Sequence, residues 1–140
     1  MDRIYRIKQA DAGRYAVERD GKLSWMTGEV FGSYGIGDAV PAGSHTFLAP
    51  VSPALVVCIG LNYKDHAAEM KKPLPEEPLM FLKPSTAVIG PDDPIRAPSG
   101  VGDIHYESEL AVVIGRTASR VPRAQAARHI LGLTCLNDVT

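Results

Sequence analysis

Two glutamates two positions apart open an apolar run, His105-Tyr106-Glu107-Ser108-Glu109-Leu110-Ala111-Val112-Val113-Ile114-Gly115. Alternate side chains of a strand share a face, so Glu107, Glu109, Ala111 and Val113 take one side, and Tyr106, Ser108, Leu110, Val112 and Ile114 the other. Past Glu109 both sides are apolar, the pattern of a strand covered on both faces. Glutamates on strands are most often solvated, but two like charges at neighbouring same-face positions repel each other unless something positive lies between them. A third carboxylate, Asp138 in Leu136-Asn137-Asp138-Val139, ends a second apolar run, far enough downstream for a strand, a helix and a return strand to intervene. Gathered at one point, the three acids form an oxygen-only donor set that suits Mg²⁺, Mn²⁺ or Ca²⁺ better than Zn²⁺.

A base for proton transfer is also available. Leu61-Asn62-Tyr63-Lys64-Asp65-His66-Ala67-Ala68-Glu69 follows the apolar run Ala54 to Ile59 and Gly60. Asn62 or Asp65 can cap a short helix that Pro73 stops. His66 and Glu69 are then i, i+3 neighbours, and the carboxylate can orient the imidazole and raise its basicity. Such a pair is commonly a surface pair; its place just after a buried strand favours the catalytic reading. Lys83, at the end of Leu79-Met80-Phe81-Leu82, reads by itself as a strand-end surface lysine.

These groups need a scaffold, and the sequence calls for a mixed, β-rich α+β one. Residues 1–50 read as a small antiparallel module: strands over 3–9, 14–18 and 22–26 are punctuated by Asp11-Ala12-Gly13 and Arg19-Asp20-Gly21, and Asp-Gly between strand patterns signals a hairpin. The glycine-rich stretch 27–44 reads as loop, since its glycines lack the order of a dinucleotide loop. Pro41, Pro50 and Pro53 mark a linker, and residues 51–140 form the second unit. Within it, Ala54–Ile59, Leu79–Leu82, Ala87–Ile89, His105–Gly115 and Leu133–Asn137 are the expected strands. Pro122 opens a helix running to Leu131, with Gly132 as its stop.

Across 140 residues, a net charge of −1 gives no footprint for nucleic acid or a membrane surface. No apolar run has the length of a transmembrane span and the first residues do not read as a signal peptide, so a cytoplasmic protein is expected. Cys58 and Cys135 both lie in apolar runs and are expected as buried free thiols.

With these pieces in place, the chain resembles the fumarylacetoacetate hydrolase family. The matching text is Gly60-Leu61-Asn62-Tyr63 with His66-Ala67-Ala68-Glu69, then Phe81-Leu82-Lys83-Pro84, then Tyr106 to Gly115, then Asn137-Asp138-Val139. The resemblance implies a twisted mixed β-roll, here its N-terminal part behind a small antiparallel module. It implies a divalent-metal enzyme, with Mg²⁺ or Mn²⁺ held by Glu107, Glu109 and Asp138. A catalytic dyad of His66 with Glu69 and a site lysine at Lys83 follow from the same comparison. The substrate is a small 2-oxo or β-diketo acid, and the reaction is isomerisation, decarboxylation or C–C hydrolysis through an enolate, in the manner of a 2-hydroxyhepta-2,4-diene-1,7-dioate isomerase-like member. Full-length members are usually homodimers. Leu61 stands where acylpyruvase-like members often have an arginine, which disfavours that substrate class. The family continues past Asn137-Asp138-Val139 with further strands and site residues. The alternative is therefore a truncated, non-catalytic metal-binding product, or half of a two-chain assembly.

Overall fold

The computed structural model describes residues 1–140, apart from the side chain of His66. Strands Arg3–Gln9 (β1), Ala12–Arg19 (β2) and Lys22–Gly28 (β3) form an antiparallel meander. The second hairpin closes as its sequence requires. Asp20 and Gly21 are both left-handed, with φ of 52° and 75°, the backbone that a two-residue turn between twisted strands demands. Alternation then divides the apolar residues between two faces. Ile7, Ala16 and Trp25 pack on one with Tyr5, Leu23 and Val40. Val17, Met26 and Val30 pack on the other with Ile4, Tyr15, Tyr34 and, from much later in the chain, Leu131.

The glycine-rich stretch that reads as loop contains a fourth strand, Tyr34–Ala39 (β4), which completes a sheet of order β1-β2-β3-β4. Its glycines are there for close approach. A Cβ on Gly35 would stand 2.9 Å from the Thr27 hydroxyl, and one on Gly37 3.0 Å from the Thr27 methyl and 3.2 Å from the Trp25 carbonyl oxygen. Small residues let the strand lie against β3 in a pattern that carries no apolar alternation.

Asp2 ties the start of this sheet to its edge. It accepts hydrogen bonds from Arg19 Nε at 2.7 Å and from the Tyr34 hydroxyl at 2.9 Å. The Arg19 bond first, and then the Tyr34 bond, holds the Asp2 carboxyl down at about 2. A depressed carboxyl contributes stability above its unfolded value near 3.8 and loses it as pH falls towards 2. Asp2→Asn is expected to lower the melting temperature at pH 7 and to flatten the acid limb of a melting-temperature-versus-pH curve between pH 4 and pH 2, where the wild type loses the same contribution. An unchanged limb would place the acid sensitivity elsewhere.

The remaining strands form two antiparallel ribbons. Leu55–Gly60 (β5) pairs with Leu79–Pro84 (β6), and between them lies a six-residue helix, Lys64–Glu69 (α1). Ser108–Ile114 (β7) pairs with Ile130–Asn137 (β8). Two expected elements differ. Ala87-Val88-Ile89 is no strand: Ser85–Ala87 forms a single 3₁₀ turn closed by the Val88 amide on the Ser85 carbonyl, between Pro84 and Gly90. The helix expected to run to Leu131 is a 3₁₀ segment, Arg123–His129, with no buried residues, and Ile130, Leu131 and Gly132 already belong to β8. Pairing with β7 and packing of Leu131 against Val17, Met26 and Val30 outweigh the local alanine-rich pattern.

Coverage of the β7–β8 ribbon is also one-sided. Glu109, Ala111 and Val113 are half-buried, whereas Leu110, Val112 and Leu133 are 59%, 47% and 62% exposed. Cys135 is exposed on that same outer face instead of buried, because its partner in the ladder is Leu110. Among the described residues Ala67 is the one buried apolar side chain after residue 30. No helix among them is long and apolar enough to cross a membrane.

Candidate carboxylate site

The ladder between β7 and β8 extends beyond both strands. Its register sets Ser108 opposite Asn137 and Glu109 opposite Leu136. The Asp138 amide donates to the Glu107 carbonyl at 2.8 Å, and the backbones of His105 and Thr140 exchange two further bonds of 2.8 and 3.1 Å. Glu107 therefore faces Asp138 across the ladder, and Glu109 lies two residues along on the same side. Asn137 reinforces the junction by accepting the Glu107 amide at its Oδ1, 3.1 Å away.

Each acid meets a different donor. The Thr140 hydroxyl donates to Glu107 Oε1 at 3.0 Å, the Asn62 side-chain amide donates to Glu109 Oε2 at 3.4 Å, and Lys83 forms an ion pair with Asp138 Oδ1. Glu107 and Glu109 are half-buried, while Asp138 is 5% exposed. The Lys83 ammonium also donates to the Val139 carbonyl at 2.9 Å, so one cation holds both the Asp138 carboxylate and the backbone beside it. Lys83 is thus no plain surface lysine: it joins the β5–β6 ribbon to the end of β8.

Cys58 belongs to the same neighbourhood. In the β5–β6 register Val56 faces Lys83 and Cys58 faces Phe81, so Cys58 and Lys83 are diagonal neighbours on one face. Burial pushes the Cys58 thiol up, the Asp138 carboxylate beside it adds to the rise, and Lys83 opposes it. Such a thiol stays protonated and unreactive at neutral pH.

The backbone thus brings Glu107, Glu109 and Asp138 to one face, with Lys83 on Asp138. It does not bring three side chains close enough to hold a metal: among the described residues no such group of His, Cys, Asp or Glu exists. The donors fit a hard cation in kind and in the face they share; as they stand, their oxygens are engaged by Thr140, Asn62 and Lys83. His66 lies in α1, but its side chain falls outside the described residues, and Glu69 is exposed on the same helix.

Asn62, Cys58 and Thr140 are additions to the site: Asn62 lies within a matching motif, but motif reasoning assigns none of the three a role there. Asn62 in particular reads as a helix cap in the sequence. The helix begins at Lys64, with Tyr63 supplying the carbonyl that accepts the Ala67 amide at 3.1 Å, and this frees the Asn62 side chain to cross to β7. The strand that precedes Asn62, expected as buried, has Leu55, Val57 and Ile59 exposed, so the available signal was only a polar residue two positions after an apolar strand.

Residues 55–140 match the family model described as fumarylacetoacetate hydrolase, C-terminal. The chain belongs to the fumarylacetoacetate hydrolase family. Among relatives of this family member, a Mycobacterium tuberculosis protein is 44% identical over 147 residues, covering 99% of this chain and 55% of that one. A mitochondrial oxaloacetate tautomerase of Bos taurus is 42% identical over 102 residues, covering 72% of this chain and 32% of its own length. The crystal structure of a 2-hydroxyhepta-2,4-diene-1,7-dioate isomerase from Mycobacterium marinum superposes with a TM-score of 0.83 at 36% identity, over 100% of this chain and 55% of that one. The chain spans about half the length, or less, of the curated relatives it matches. The β-rich architecture with few helices is accordingly that of the family fold.

Proposed function

We propose that this chain carries the carboxylate and histidine machinery of a divalent-metal-dependent enzyme that acts on small 2-oxo diacids through an enolate. The observation that carries the reading is the shared face of Glu107, Glu109 and Asp138, joined by Lys83 from the neighbouring ribbon. Two relatives are named for tautomerase and isomerase reactions on dicarboxylates, which favours a proton shift over C–C cleavage.

Glu107, Glu109 and Asp138 would hold Mg²⁺ or Mn²⁺. A cation there supplies positive charge for the oxygen on which enolate charge develops. The chain's own groups do the rest. His66, carried by α1 with Glu69 one turn later, is assigned the proton transfer at the carbon next to the carbonyl. Lys83 keeps the Asp138-Val139 segment in place through the Val139 carbonyl.

A Mn²⁺ titration followed by electron paramagnetic resonance tests the site, and ultraviolet absorbance tests keto–enol exchange of oxaloacetate. The wild type is expected to bind Mn²⁺, with Glu107→Ala weakening it by roughly tenfold or more. A wild type that takes up no Mn²⁺ overturns the metal reading. Binding without exchange of any 2-oxo diacid would leave a metal-binding but non-catalytic chain.

A further inference from the structure

Leu61 is the first residue after β5 and adopts a left-handed backbone, with φ of 52°. That conformation is unfavourable for a bulky side chain, and residues held this way concentrate where a site needs a particular placement. Its effect is visible in the next residue. Asn62 does not cap α1 but reaches β7, where its side-chain amide donates to Glu109 Oε2 at 3.4 Å. Asn62 is itself exposed, so water would serve its amide equally well. The contact satisfies no buried group of Asn62; its consequence lies with Glu109.

We infer that Asn62 is a positioning residue for the carboxylate site, its amide fixing the Glu109 carboxylate and tying the loop that carries α1 to the strand that carries the acids. The inference rests on the reading of Glu109 as a cation ligand. A neutral amide suits the task better than a lysine or arginine would. It donates one hydrogen bond to one carboxylate oxygen, leaves the second oxygen available, and adds no charge to compete with a divalent cation. Because α1 starts two residues after Asn62, the same bond sets the distance between the helix bearing His66 and the acidic face.

Asn62→Ser keeps a small polar side chain at the turn but cannot span to Glu109. Two measurements on the 140-residue chain decide the matter. In a double-mutant cycle of Asn62→Ser and Glu109→Ala, read from urea unfolding in the presence of a chelator, the unfolding constants are expected to be non-additive by about threefold. Additive effects overturn the contact. In the Mn²⁺ titration, Asn62→Ser is expected to weaken binding by about tenfold, as loss of a residue that orients a ligand does. Unchanged affinity against a binding wild type overturns the positioning role. If the wild type itself takes up no Mn²⁺, the cation reading fails and the cycle alone decides whether Asn62 holds Glu109.

Discussion

Lys83→Met is expected to destabilise the chain by about 3 kcal/mol in urea unfolding with a chelator present, because it leaves a buried carboxylate without its counter-charge. The asymmetry of the pair makes this sharper than a generic loss of an ion pair. The Asp138 side chain is 6% exposed and that of Lys83 24%. Removing the lysine strands the group that water cannot reach. Removing the acid, as in Asp138→Asn, leaves an ammonium on a flexible stem that can turn towards solvent, and about 1 kcal/mol is expected. The variants should therefore rank with Lys83→Met the more damaging. Equal or reversed effects would mean that Asp138 is not held by Lys83 in solution. Lys83→Met also removes the bond to the Val139 carbonyl, so amide exchange at Asp138 and Thr140 should quicken in that variant.

Trp25→Ala is expected to cost about 4 kcal/mol, monitored by circular dichroism because Trp25 is the single tryptophan. Its side chain is 6% exposed and packs with Ile7 and Ala16, the first of which is 1% and the second 0% exposed. The Arg14 guanidinium over the ring, 4.4 Å from its centroid, adds less than about 1 kcal/mol at a site open to water. Leu133→Ala is the control. Leu133 is 62% exposed on the outer face of β8, and a change within about 0.5 kcal/mol is expected there. The contrast locates the stabilising core in the four-stranded sheet and in Leu131, which docks on it. If Leu133→Ala proved as costly as Trp25→Ala, the outer face of β8 would have to be covered in solution.

Wherever alternation and turn chemistry agreed, the elements were legible in advance. Asp20-Gly21 announced its hairpin, and the runs around Leu55, Leu79, Leu110 and Leu133 announced four strands. Legibility failed where tertiary contact overrode a local pattern. Gly35 and Gly37 hide an edge strand because their small size serves close approach to Thr27 and not burial. Ala126, Ala127, Ile130 and Leu131 have helical spacing, yet pairing with β7 takes the last two into a strand. The apolar outer positions Leu110, Val112 and Ile114 read as a covered face, but periodicity reports only that residues are apolar and not what lies over them.

The amino-acid sequence by itself determined the chemistry that is available: three carboxylates, a histidine with a glutamate at helical spacing, a lysine at a strand's end, and the family to which that order belongs. Those are matters of residue type and short-range periodicity, which covalent order carries directly. Tertiary structure alone decided which groups meet. The register of β7 and β8 sets Glu107 opposite Asp138, the β5–β6 ribbon brings Lys83 to Asp138, and the turn at Leu61 sends Asn62 to Glu109. Such pairings depend on distances across ladders and between ribbons, and no local pattern encodes them.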